Sequence, residues 1–195
     1  MPAILDIANA FLHAENDKKI IILLRGKLAN MMVQVDPIMY RKYLIYSPNG
    51  QAMLYVRLSK SLYGMLRAAL LFYKRLRSDL DNMGFEINLY DPYVVNKMVN
   101  GYQMTICWHV DDLKVSHKEN NAVTELAENL ADLYGPKTTV SYGKGHKYLR
   151  MDIDWASVPG TMIVSMINYM YTVIEEFPEV LWWGGFTWWQ SSVYR

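Results

Sequence analysis

The sequence predicts an α+β protein in which an antiparallel sheet is covered by helices on one face. Three observations carry that expectation. Short segments of alternating β-branched and aromatic residues recur in pairs joined by tight turns. Two longer segments, 66–83 and 121–134, switch to apolar residues at three- and four-residue spacing. The resulting order of β, α, β, β, α, β leaves helices to pack against paired strands. With 195 residues, 52% of them hydrophobic, the chain is long enough for one domain with a real core.

Residues 3–7 read as an apolar strand that delivers Asp6 at its end, and residues 8–14 as a turn entering a helix. A strand follows at 18–24, and Asp36-Pro37 marks the start of a turn or helix within 26–40. Ser47-Pro48-Asn49-Gly50 is a hairpin turn between strands at 43–46 and 53–58. Leu66, Ala69, Leu70, Tyr73, Leu76, Leu80 and Met83 form one helical stripe ended by Gly84, with Arg67, Lys74 and Ser78 on another face. Strands at 93–98 and 104–110 flank an Asn100-Gly101 turn. A helix over 121–134 buries Val123, Leu126, Leu130 and Leu133 and ends at Gly135-Pro136. Strands at 138–142, 148–154 and 162–166 precede a helix over 168–177.

The formal net charge of +1 hides an uneven distribution. Between Pro37 and Ser78 there is no Asp or Glu, while Arg41, Lys42, Arg57, Lys60, Arg67, Lys74, Arg75 and Arg77 all fall there. Such a block suits a phosphate backbone, although a solvated basic face reads the same way. A single cysteine, Cys107, excludes an intramolecular disulfide and suits a reducing compartment. No apolar run approaches the roughly 20 residues of a membrane span, and no secretory leader is visible. The expectation is an intracellular protein, in a cytoplasmic particle or the nucleus, neither secreted nor membrane-bound.

Asp111-Asp112 lies between the strand ending at Val110 and the strand 113–116, so both acids are expected at a hairpin tip. Asn-Gly or Asp-Gly would be the usual choice there, and two adjacent like charges raise each other's energy unless a cation lies between them. An isolated Asp-Asp is more often a solvated turn. Here it comes with company: Asp6-Ile7-Ala8-Asn9-Ala10-Phe11-Leu12-His13-Ala14 upstream, then Leu62-Tyr63-Gly64-Met65-Leu66-Arg67, and His146-Lys147-Tyr148-Leu149-Arg150-Met151-Asp152 downstream. These four blocks, in this order, resemble the motifs of reverse transcriptases. Ala-Phe-Leu-His-Ala and Ser-Leu-Tyr-Gly-Met-Leu are most similar to those of Ty1/copia-type retrotransposons. The resemblance covers roughly residues 3 to 179.

The resemblance implies a polymerase palm with partial fingers over residues 1–179, followed by an atypical Trp-rich tail, 180–195, without a family counterpart. It implies RNA-directed DNA polymerase activity: two-metal nucleotidyl transfer of dNTPs to a primer on an RNA or DNA template. Asp6, Asp111 and Asp112 would be the catalytic and metal-binding acids for Mg2+ (or Mn2+), which prefer oxygen ligands. Phe11 would lie under the substrate sugar, Arg67 would contact the triphosphate, and His109 would stand beside the primer end. Ordinary core packing is the rival for Phe11, and a hydrogen-bonded core residue the rival for His109. Asp36, Asp91, Asp152 and Asp154 match no catalytic position and are expected to be structural. Arg150 departs from the Gly of the family's block. The chain resembles part of a larger retrotransposon polyprotein with integrase and ribonuclease H. Two other classes compete with this reading: a degenerate palm fragment that at most binds nucleic acid, and a metal-dependent nuclease using the same acids.

Overall fold

The computed structural model describes residues 2–155 and 160–176; the Trp-rich segment 180–195 lies outside the described residues. Two compact units make up the chain. The first opens with β1 (Pro2–Asp6) and resumes at Asn88; the second is the intervening Ile7–Ile87.

The second unit contains α1 (Ala10–His13), β2 (Glu15–Arg25), α2 (Lys27–Val35), α3 (Pro37–Tyr40), a 3₁₀ turn (Arg41–Tyr43), β3 (Ile45–Tyr46), β4 (Ala52–Lys60), α4 (Ala68–Asn82) and β5 (Glu86–Ile87). β2, β4 and β3 form an antiparallel sheet in the order β2-β4-β3. One sheet face is closed by α2, whose Ala29 packs with Ala52 and Leu54 in a core completed by Leu24, Met32, Tyr40, Leu44 and Val56. A break at Asp36-Pro37 is built into the sequence: proline occupies the first turn of α3, and the Asp36 carboxylate accepts the Met39 amide at 2.9 Å.

The α4 stripe differs from the one the spacing predicts. Ala68, Leu71, Phe72, Leu76, Asp79 and Leu80 are buried, whereas Leu66 is fully exposed and lies before the helix. A carboxylate on the buried face is tolerable because Arg75 Nε donates to Asp79 Oδ2 at 2.7 Å one turn away.

The first unit continues with β6 (Val94–Val99), β7 (Tyr102–His109), β8 (Asp112–Ser116), α5 (Asn120–Tyr134), β9 (Thr139–Tyr142), β10 (Gly145–Tyr148), β11 (Met151–Asp154), β12 (Ile163–Ser165) and α6 (Ile167–Glu176). Antiparallel pairing gives the strand order β6-β7-β8-β1-β9. Register places Val95, Ile106, Val115 and Ala3 in one row across four strands, with Trp108, Leu113 and Leu5 in the next. All seven are buried, so this face is core. α5 adds Val123, Leu126, Leu130 and Tyr134 as a buried stripe, while Leu133 is half-exposed.

β10, β11 and β12 form a separate antiparallel sheet. The sequence predicts one strand over 148–154; the chain instead turns at Leu149-Arg150 and returns as β11, with Tyr148 paired to Met151. Both turn residues have positive φ, 50° and 65°. That is the type I′ pattern, for which Asn-Gly is the favoured sequence. Asn100-Gly101 makes the same turn between β6 and β7, with φ of 51° and 79°. The requirement for left-handed backbone thus explains why a glycine would suit position 150. Among the described residues no helix is long and apolar enough to cross a membrane.

Candidate active site

Three strand ends meet at one end of the sheet that contains β1, β7 and β8. β1 runs out at Asp6, β7 at His109, and β8 begins at Asp112. Asp6 is the register partner of Asp112, and Asp112 of His109. The three side chains therefore form a row across adjacent strands, on the face opposite the buried row of Leu5, Leu113 and Trp108.

Where the sequence places both acids at the hairpin tip, the structure puts Val110 and Asp111 in the two-residue loop and makes Asp112 the first residue of the returning strand. Either register would keep Trp108, Leu113 and Val115 on the core face. The observed one separates the adjacent carboxylates, one into the loop and one into the sheet. Of the two loop residues only Val110 has a positive φ, 57°. A positive φ at the first loop position alone fits a type II′ turn, which favours glycine there. A β-branched residue in this conformation is strained, and strain of this kind is held in place by its surroundings at functional sites.

Electrostatics registers the crowding. The Asp6 carboxyl is raised above its ordinary 3.8, first by burial and then by the charge of Asp111. Asp112 is raised by burial, then by Asp111 and Asp6, with His109 acting in the opposite direction. Register partners in antiparallel strands have Cβ atoms roughly 4.5–5.5 Å apart, where like charges destabilise the sheet.

One row further along the same face, Ile4, Lys114 and Cys107 are register partners. Tyr148, at the end of β10, is buried, and its hydroxyl lies 3.6 Å from Cys107 Sγ and donates to the Cys107 carbonyl at 3.5 Å. Burial, then Cys107 and finally the charge of Asp112 push this phenol well above its ordinary 10, so it stays protonated. The β10–β11 hairpin is thereby tied to the strand that carries His109. The block around Tyr148 is legible in the sequence but this role is not; its one local signal is an aromatic residue alternating with His146 on a short strand. His146 itself is buried, with Nε2 2.9 Å from the Gly143 carbonyl.

The remaining candidates lie in the second unit. Phe11 packs against Tyr63 at 4.6 Å between ring centroids and edge-on to Phe72 at 6.5 Å. Arg67 precedes α4 and its Nη2 meets Asp17 Oδ2 of β2 at 2.6 Å. Asp36 and Asp91 are turn acceptors for backbone amides, and Asp152 accepts from Asn168.

The donor chemistry of Asp6, Asp111 and Asp112 suits a hard divalent cation, since positive charge would relieve the repulsion that raises two of the three. Among the described residues, no three acidic, His or Cys side chains are drawn together closely enough to enclose an ion. A cation would have to pull the acids inward, against a hairpin loop that holds only two residues.

Residues 3–180 match the family described as reverse transcriptase (RNA-dependent DNA polymerase). The chain belongs to that family. It is the reverse transcriptase family typical of Ty1/copia retrotransposons, and members generally use divalent metal ions. Among solved structures, apo telomerase from Candida tropicalis is similar at 12% identity and a TM-score of 0.39, over 78% of this chain and 31% of that one. Telomerase from Candida albicans, in complex with a fragment of telomeric RNA, is similar at 11% identity and a TM-score of 0.39, over 78% of this chain and 30% of that one. Comparison with curated proteins finds no match.

Proposed function

We propose that this reverse transcriptase chain is the RNA-directed DNA polymerase domain of a Ty1/copia-type retrotransposon, extending a primer with dNTPs on an RNA or DNA template. The observation that carries the reading is the cross-strand row of Asp6, Asp112 and His109, with Asp111 in the adjoining loop. Residues 1–179 would form a palm with partial fingers, the β2–β4–β3 sheet being the fingers part.

Asp6, Asp111 and Asp112 would hold two divalent ions, magnesium or manganese. When bound, such ions neutralise charge on the reacting phosphate and activate the primer hydroxyl. The chain's residues do the positioning. His109, beside Asp112 at the strand end, would orient the primer terminus, and the Tyr148 tie would fix the β10–β11 hairpin on the primer side. Phe11 would lie under the sugar of the incoming nucleotide. Arg67 would reach its triphosphate only after leaving Asp17, an exchange of one charge-assisted contact for another. The domain would work inside the cell, in a cytoplasmic particle or the nucleus, as part of a polyprotein with integrase and ribonuclease H.

Primer extension on an annealed template with Mg2+ or Mn2+ tests the proposal. Incorporation by the wild type that Asp112→Asn reduces by a factor of at least about a hundred is the expected result. Equal incorporation by both proteins would sink it. A second reading, a non-catalytic fragment that binds nucleic acid, is favoured by the ungathered carboxylates. It predicts duplex binding with no extension by either protein.

A further inference from the structure

The β2–β4–β3 sheet of the second unit has two faces, and α2 closes only one of them. On the helix side lie Leu24, Ala52, Leu54 and Val56, packed with Ala29 and Met32 of α2. Side chains alternate along a strand, so Leu23, Arg25, Met53, Tyr55 and Arg57 point the other way. Register fixes their places on this open face. Ile21 stands beside Arg57, Leu23 beside Tyr55, and Arg25, Met53 and Ile45 share one row. Tyr55 is 56% exposed, Ile21 53% and Ile45 44%, and both arginines are exposed as well.

Tyr55 therefore sits at the centre of the face, with Arg57 one row away on one side and Arg25 one row away on the other. No Asp or Glu lies on β3, on β4, or on β2 from Ile20 to Arg25. Among the described residues neither guanidinium has an acidic partner; the ion pairs engage Lys60, Arg67 and Arg75 instead. We infer that this face holds a single strand of nucleic acid, with a base stacked on Tyr55 and backbone phosphates paired with Arg25 and Arg57. An exposed aromatic ring on a sheet is a platform for any unpaired base, and cations on either side of it follow the phosphates. A duplex keeps its bases stacked on one another and has no use for the ring. A second copy packed face to face would bring arginine against arginine, with no carboxylate on the face to answer either.

This inference goes beyond the polymerase reading, because the face belongs to the unit that lacks the acid row and its occupancy needs no chemistry. The test titrates the intact chain, without divalent ions, into a labelled oligouridylate and into a duplex of the same length, following fluorescence anisotropy over a range of salt. The single strand should bind more tightly than the duplex. Tyr55→Ala should weaken it by about tenfold or more through the lost stacking, while Tyr55→Phe, which keeps the ring, should bind like the wild type. Arg25→Gln with Arg57→Gln should flatten the salt dependence by about 1.4 in slope, two phosphates at roughly 0.7 each. All three positions are exposed, so the fold should hold, checked by an unchanged melting temperature. Asp112→Asn should bind the strand as the wild type does even where it abolishes primer extension, which separates failure here from failure of the polymerase reading. The inference is overturned if the duplex binds as well as the single strand or if Tyr55→Ala and Tyr55→Phe bind alike. It is equally overturned if the double arginine substitution leaves the salt slope unchanged, or if an acidic amphipathic peptide displaces the strand and loses affinity with Tyr55→Ala.

Discussion

Asp6 and Asp112 stand opposite one another as register partners on β1 and β8, two carboxylates on one face of a sheet. Each holds its proton more tightly folded than unfolded, because burial and neighbouring acids raise both. Folding therefore takes up protons in the window from 3.8 to the raised value, and the pair's contribution to stability worsens as pH rises through that window.

Removing one charge should consequently help the metal-free protein. Asp112→Asn is expected to stabilise the chain by roughly 0.2–1 kcal/mol near neutral pH, with solvent screening favouring the lower end. Below pH 3.8 the advantage should vanish, since the native carboxyls are then neutral in both states. Urea unfolding at low salt and two pH values measures this; a destabilising Asp112→Asn near neutrality would refute the crowding.

Divalent cations should reverse that order. Magnesium or manganese bound by the acids stabilises the wild type by mass action, by about 2.7 kcal/mol at a hundredfold excess over the dissociation constant. Thermal melts with and without the ion should show a shift for the wild type and little or none for Asp111→Asn. Equal shifts for the two proteins would remove the acids from the metal site.

Leu149 and Arg150 offer a separate test. Their type I′ turn is strained in both residues, while the Arg150 guanidinium lies 5.0 Å from the centre of the Tyr169 ring, a cation–π contact that offsets part of the strain. Arg150→Gly alone should be near neutral, as relief of the turn and loss of the contact oppose each other. In a Tyr169→Leu background the same change should stabilise by about 1 kcal/mol. Leu149→Asn with Arg150→Gly, the pair already used at Asn100-Gly101, should stabilise further. Additive effects across the cycle would mean that Arg150 and Tyr169 do not interact.

Val110→Gly should likewise stabilise the fold by about 1 kcal/mol, because its φ of 57° suits glycine. The looser loop should hold Asp111 less firmly, so the ion-dependent melting shift should shrink. A more stable protein with an undiminished shift would show that the strain plays no part in placing Asp111.

How far the sequence foretold these features depended on whether the signal was local. Asn100-Gly101 announced its hairpin because those residues are the ones the turn needs; Leu149-Arg150 made the same turn with neither, so it read as continuous strand. In α4 the apolar residues populate two adjacent stripes, and a count of hydropathy passes over Asp79, whose burial depends on Arg75. The acids were legible as motifs. Their arrangement was not, because the row depends on the pairing of β1 with β8, which no local pattern encodes.

That pairing has a temporal consequence. Residues 2–6 find their partner only after about a hundred further residues exist, since Asp6 pairs with Asp112. At a synthesis rate of roughly 5–20 residues per second, β1 waits on the order of 5–20 s with its apolar side chains and strand edges unpaired. Closing so long a loop adds little to the equilibrium cost but delays folding, as it does for any topology dominated by distant contacts. The acid row thus cannot assemble until β8 has been made, well after the β2–β4–β3 sheet has all its strands, and β1 keeps unpaired edges until then.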